Sequence, residues 1–129
     1  MPTLEEIRAA FAADRFATEA AGAEIQSAEP GHAVCTMALR PIHMNAAGTP
    51  QGGAIFTLAD FALAICCNIG EGPTVSVDSN ISFFRATKGT KLTATATCDK
   101  PGRHLGFYTV LVEDDLGKAI AKMTATCYR

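Results

Sequence analysis

The chain carries no excess of either charge: 11 lysines and arginines stand against 13 aspartates and glutamates, a formal net charge of −2 over 129 residues. That balance gives no reason to expect nucleic acid as a partner. A long hydrophobic run is missing too. The most apolar stretch, residues 54–69, is interrupted by Thr57, Asp60 and Asn68 and is too short and polar to span a bilayer. No basic segment followed by an apolar one opens the sequence, so no signal peptide and a cytoplasmic location are expected. There is no C-x-x-C pair among the five cysteines at 35, 66, 67, 98 and 127. An odd number without that spacing reads as buried free thiols in a reducing compartment rather than a disulfide framework. The histidines, at 32, 43 and 104, lack ligand spacing, so no metal site is expected. Internal repeats and low-complexity blocks are absent.

What is present suits one globular domain over residues 1–129, with 48% hydrophobic and 19% charged residues. The opening "TLEEIRAAFAADRF" reads as the core of an N-terminal helix over 1–20. Thr3 and Glu6 form a capping box, and Leu4, Ile7 and Phe11 recur at helical spacing. "AEIQSAEPGHAVCTMAL" reads as two strands joined at Pro30-Gly31. After an irregular segment, "GAIFTLADFALAICCNIG" reads as a long central helix over 52–69. The remainder alternates. Val75, Val77, Ile81 and Phe83 stand against Ser76, Asp78, Asn80 and Ser82, and three further strands follow. About five half-buried antiparallel strands and one apolar helix predict an α+β fold, a sheet wrapped around that helix.

The helix start carries the chemistry. Gly52 and Gly53 place orphan backbone N–H groups at the positive end of the helix. Without Cβ atoms they admit a ligand close to the backbone, and such an end polarises a carbonyl or holds an oxyanion. Asp60 sits among Leu58, Ala59, Phe61 and Ala62, where burial is costly without a task or a partner. Eight residues of helix span about 12 Å, whereas reacting atoms approach to about 3–3.5 Å. If both features are functional, Asp60 must therefore serve the glycines of a second, two-fold-related copy.

The pattern N-x-x-G-x-x-x-G-G-x-x-x-x-L-x-D, Asn45 through Asp60, resembles the hotdog-fold thioesterases of the phenylacetate-pathway (PaaI) type, within the 4-hydroxybenzoyl-CoA thioesterase superfamily. "TVSVDSNISFF" and the sequence after it continue the likeness. The resemblance implies acyl-CoA hydrolysis without a cofactor, CoA being part of the substrate, in a homodimer and a dimer of dimers. It implies Asp60 as base or nucleophile, Gly52 as donor to the thioester oxygen, and Asn45 placing water or the carboxylate. Gln51 stands where the family has His and cannot titrate near neutrality. Ser76 matches an assisting serine. Gly53, Phe83, Arg85 and Lys88, with Lys100, Gly102, Arg103 and His104 of "KPGRHL", match regions that hold substrate and CoA phosphates.

Blander readings stand beside these. Asn45 is a good turn former, Ser76 falls on the polar parity of its strand, and Phe83-Phe84 suit core and interface packing. Lys100, Arg103 and His104 suit a solvated hairpin loop. Two functional rivals remain: a dehydratase or hydratase, which would pair a histidine with a carboxylate, and a non-catalytic acyl-CoA-binding module signalled by Gln51.

Overall fold

The computed structural model describes residues 1–70 and 72–129. Helix α1 covers Leu4–Phe11, helix α2 covers Gly52–Asn68, and six strands follow as β1 (Ala23–Glu29), β2 (His32–Ala38), β3 (Val75–Phe83), β4 (Lys91–Lys100), β5 (Leu105–Asp114) and β6 (Ala119–Tyr128). The strands form a single antiparallel sheet in the order β1-β2-β4-β5-β6-β3. The six strands are the segments read one by one from the sequence, against the round figure of about five. The sheet curls round α2 in the α+β layout that the apolar patterns predict.

Period-two alternation fixes the inner face. Cys35 lies opposite Ala94, Ala94 opposite Val112, and Val112 opposite Ala121, and all four are buried. Paired residues share a face, so this row is one continuous floor. Onto it α2 packs Leu58, Phe61, Ala62, Leu63, Ile65 and Cys66, each at most 2% exposed. Small residues in the floor leave room for a whole helix; large ones there would hold it off the sheet.

The N-terminal region departs from the expected single helix over 1–20. The capping box forms, with the Glu6 N–H donating to Thr3 Oγ1 at 3.2 Å and the Thr3 N–H donating to Glu6 Oε1 at 3.1 Å. Helix α1 nevertheless stops at Phe11 and a π-helical turn covers Phe16–Ala20. Asp14 is the reason. Its Oδ1 accepts the N–H of Ala17 at 3.1 Å, a fresh N-cap that competes with continuation. Phe11 still anchors the segment, edge-on to Phe61 with ring centroids 6.1 Å apart. Helix α2 ends at Asn68, one residue before the expected limit. Asn68 closes that end, donating from Nδ2 to the carbonyls of Ala64 and Thr74 and accepting the Thr74 N–H on Oδ1.

Strand β3 lies at one edge of the sheet, and its apolar residues are not buried as alternation predicts: Val75 is 60% and Val77 63% exposed. A bulge at Val77 also resets its phase. Ser76 pairs with Cys127, but Asp78 pairs with Thr126. Ser76 thereby joins the inner-face row of Ser79, Ile81 and Phe83 instead of the outer face where parity places it.

The β5–β6 turn is held by a buried carboxylate. Asp114 accepts the Thr87 hydroxyl at 2.7 Å and the backbone N–H groups of Lys118 at 2.9 Å and Leu116 at 3.0 Å. These bonds, the Thr87 one foremost, hold the Asp114 carboxyl below its ordinary value. A lowered folded value means stability present above the usual carboxylate range and lost as pH falls through the folded value. Asp114→Asn should lower Tm at pH 7 by about 3–6 °C. It should also flatten the acid limb of a Tm-versus-pH series; an unchanged limb would assign acid sensitivity to another group.

Candidate active site

The segment entering α2 is a tight loop organised by Asn45. Its Oδ1 accepts the N–H groups of Ala47 at 2.9 Å and Thr49 at 3.1 Å, and its Nδ2 donates to Thr49 Oγ1 at 3.0 Å. These bonds fix the turn, and Nδ2 keeps a second N–H beyond the one given to Thr49. The Gln51 N–H donates to the His43 carbonyl at 2.8 Å, which aims the chain into the helix. The Gln51 carbonyl accepts from Ala54 at 2.9 Å and Ile55 at 3.2 Å. The N–H groups of Gly52 and Gly53 have no acceptor among the described residues. They are the free donors of a helix start.

Both glycines have neighbours where a Cβ would go. At Gly52 it would lie 3.2 Å from Phe83 Cζ, and at Gly53 only 2.5 Å from Gln51 Oε1. Phe83 thus covers one side of the helix tip and the Gln51 amide the other. Phe83 and Phe84 are 51% and 50% exposed, so neither is a core residue of the single chain. Arg85 lines a shallow cleft of about 350 Å³ beside Gly52 and Phe83, and Lys88 is exposed in the same connection.

Asp60 overturns one expectation: it is exposed, not buried. Gly53, Thr57, Asp60, Ala64 and Asn68 recur every three or four residues and form the one stripe of α2 that the sheet leaves uncovered. Among the described residues no donor reaches the Asp60 carboxylate. Its carboxyl is raised above its ordinary value, first by partial desolvation and then by the nearby negative charge of Asp14. The charge of Asp60 is also felt at the Cys127 thiol. Cys127 is the cross-strand partner of Ser76.

The basic candidates divide into two groups. Arg85 and Lys88 flank the N-terminal end of α2. The loop carrying Lys100, Gly102, Arg103 and His104 lies at its other end, where Pro101 and Arg129 share an open cleft of about 670 Å³ with Cys66, Cys67 and Gly70. Seventeen residues of helix separate the ends, about 25 Å. One chain therefore does not bring both groups to one ligand. Gly102 has a local reason to be glycine, since a Cβ there would fall on the Leu105 carbonyl. His104 stacks on Tyr128 with ring centroids 6.3 Å apart. Burial pushes the Cys35 and Cys66 thiols up to about 12, which makes both unreactive.

Sequence reasoning passed over Ser79. Its hydroxyl is buried without a partner on the inner face of β3, and Ser76 joins that face only through the bulge, which the letters do not announce.

Free N–H groups at the helix tip and an open carboxylate two turns along thus stand on the uncovered side of α2. The sequence model described as the thioesterase superfamily matches residues 48–121. The chain belongs to this family. Human acyl-coenzyme A thioesterase 13 is 36% identical to this thioesterase over 122 residues, covering 92% of this chain and 87% of that one. The structure of the Escherichia coli PaaI protein from the phenylacetic acid degradation operon superposes with a TM-score of 0.85 at 28% identity, covering 98% of this chain and 96% of that one. A thioesterase protein of Streptococcus pneumoniae TIGR4, solved with coenzyme A, superposes with a TM-score of 0.83 at 26% identity over 92% of this chain and 94% of that one.

Because the raised Asp60 carboxyl holds its proton more tightly in the folded chain, the contribution of this one group to stability is greatest at low pH and is lost as pH climbs through the folded value. Asp60→Asn removes that decline. Its Tm should exceed the wild type by about 1–3 °C at pH 7 and match it near pH 3; a uniform offset at both pH values would show that titration of Asp60 is not responsible.

Proposed function

We propose that the protein, a single thioesterase domain over residues 1–129, hydrolyses acyl-CoA thioesters to a free acid and CoA, at two equivalent sites each shared by two copies. The observation that carries this is the separation of Asp60 from Gly52. The carboxylate is open and unpartnered, and the donors are free, yet about 12 Å of helix lies between them. A two-fold partner whose helix runs antiparallel supplies the missing half of each site. The unpaired edge of β3, with Val75, Val77 and Phe83 exposed, supports that pairing, because such an edge extends readily into a second sheet.

In this reading the thioester oxygen lies on the Gly52 N–H, where the helix end stabilises negative charge as it forms. Asp60 of the other copy takes a proton from water as the water oxygen adds to the carbonyl carbon; the carbon–sulfur bond then breaks, that proton passes to sulfur, and CoA leaves as its thiol. In the alternative course the Asp60 carboxylate adds to the carbon, the carbon–sulfur bond breaks with a proton from water going to sulfur, and the remaining hydroxide hydrolyses the mixed anhydride to the free acid, restoring the carboxylate. Asn45 holds the loop that sets the Gly52 tip, Gln51 borders the thioester, and Ser76 faces Asp60 from β3. Gly53 admits the substrate close to the backbone, and Phe83 packs over the tip. Arg85 and Lys88 meet the CoA phosphates from one copy, and Lys100, Gly102, Arg103 and His104 from the other, which reunites the two basic groups. CoA arrives as part of the substrate, and no step uses a separate cofactor. A dimer of dimers and a cytoplasmic location complete the reading; the unreactive thiols of Cys35 and Cys66 suit a reducing compartment.

Asp60→Asn should lower kcat at least about a hundredfold while acyl-CoA still binds. In the wild type kcat should rise with pH through one ionisation above the usual carboxylate range, as the raised Asp60 carboxyl requires. Unchanged turnover of CoA thiol in the variant would refute the role. Val77→Lys places a charge on the exposed β3 edge. By light scattering it should yield folded monomers with at least about tenfold less activity; an active monomer would refute the shared site.

A further inference from the structure

Clefts open at both ends of α2. At its start, the turn covering Phe16–Ala20 and the short 3-10 turn Pro41–His43 form two walls. They are tethered by His43 Nε2–H, which donates to the Ala21 carbonyl at 2.7 Å, and by Arg40 Nη2, which donates to the Ala20 carbonyl at 2.8 Å. The open cleft of about 670 Å³ at the far end is different in kind, because sulfur lines it. Cys66 and Cys67 reach it from the last turn of α2, and Cys98 from β4. Tyr108 shares the lining. Burial, and after it the charges of Cys98, Cys67, Cys127 and Cys66, push its phenol up. One ring thus neighbours four of the five cysteines.

Two of these thiols touch. Cys67 is hydrogen-bonded through sulfur to Cys127. They come from different elements, the end of α2 and the inner face of β6, where Cys127 pairs with Ser76 on one side and Gly106 on the other. Cys67 is 6% exposed at the cleft, and Cys127, behind it, is 1% exposed. The Cys67 sulfur is held from its own helix by the Ala64 carbonyl at 3.7 Å and by Asn68 Nδ2 at 3.4 Å. The bond between the two sulfurs acts on them in opposite senses. It lowers the Cys127 thiol below its ordinary value and raises that of Cys67. Cys127 is therefore the better nucleophile and Cys67 keeps the proton. Among the described residues, no group of three or more His, Cys, Asp or Glu side chains could hold a metal ion, which leaves this cluster the chemistry of a thiol pair.

We propose that Cys67 and Cys127 are a peroxide-sensitive pair, closed to an intrachain disulfide by hydrogen peroxide that enters through the cleft. Peroxide is little larger than water and can pass Cys67 to reach the sulfur behind it. The Cys127 thiolate attacks one peroxide oxygen, the O–O bond breaks, and the departing hydroxide takes the Cys67 proton to become water. Cys127 is then a sulfenic acid. The Cys67 thiolate attacks its sulfur, the S–O bond breaks, and the second hydroxide takes up the proton that Cys127 had given to solvent. Two thiols and one peroxide thus become one disulfide and two waters, with two electrons passing from sulfur to oxygen. The sulfurs must move closer to bond, and the helix is the side that yields. Cys67 is the last residue but one of α2, before a turn at Gly70 with φ +83°, whereas β6 is held between β5 and β3. The product ties the last turn of α2 to the sheet.

The test treats the reduced protein with hydrogen peroxide, then unfolds it and alkylates the thiols that remain. The five free thiols should fall to three, with the mass lower by two hydrogens before alkylation and a cross-linked peptide pair carrying Cys67 and Cys127. Dithiothreitol should restore all five. In Cys67→Ala the sulfenic acid has no thiol to resolve it, so dimedone should label Cys127. Cys66→Ala should form the same link as the wild type. Five thiols surviving peroxide, a link through Cys35, Cys66 or Cys98, or dimedone on Cys98 in place of Cys127 would overturn the assignment. Should Cys67→Ala fail to fold, the peptide map of the wild type decides alone.

Discussion

One helix cannot be wrapped completely by one six-stranded sheet. The floor of small residues lets α2 sink until Leu58, Phe61 and Ile65 are out of water, yet the stripe Gly53–Thr57–Asp60–Ala64 stays uncovered. Everything chemical in the molecule follows from that gap. It is where a carboxylate can sit on an otherwise apolar helix at tolerable cost, because water or a ligand reaches it. It is also where the free donors of the helix start are accessible, since the covering sheet ends with Phe83 at their side.

The same constraint underlies the proposed division of the site. A helix start offers donors at one end only, and a carboxylate on the same stripe is removed from them by the rise of the helix. In the proposed pair, two-fold symmetry turns this separation into a meeting, because antiparallel copies bring the middle of one helix to the tip of the other. The two basic groups obey the same rule. Arg85 and the Arg103 loop lie at opposite ends of α2 in one chain, and the proposed pair brings them together.

Much of this was legible in the letters. The Thr3–Glu6 capping box, the Pro30-Gly31 turn, the start of α2 at Gly52 and the alternating strands depend on local chemistry, and each forms where that chemistry directs. The misreadings have physical causes as well. Asp14 starts a new turn because its side chain outbids helix continuation, a contest that spacing does not reveal. A helix that is apolar nearly all round carries no periodic sign of which face stays open, so Asp60 reads as buried. Unbroken alternation through β3 hides the extra residue at Val77 that swings Ser76 inward. Asn45 was visible as a turn former, and its four-residue reach to Thr49 makes that its place in the chain alone.

The tether between the N-terminal segment and the 41–43 turn uses main-chain carbonyls of Ala20 and Ala21 as its acceptors. Every amino acid supplies such an oxygen. Selection can therefore rewrite the neighbouring surface letters, lengthening or clipping side chains around the opening, while the scaffold that holds them keeps its attachment. A lineage in need of a new surface has an inexpensive place to mutate, on the two walls beside the start of α2.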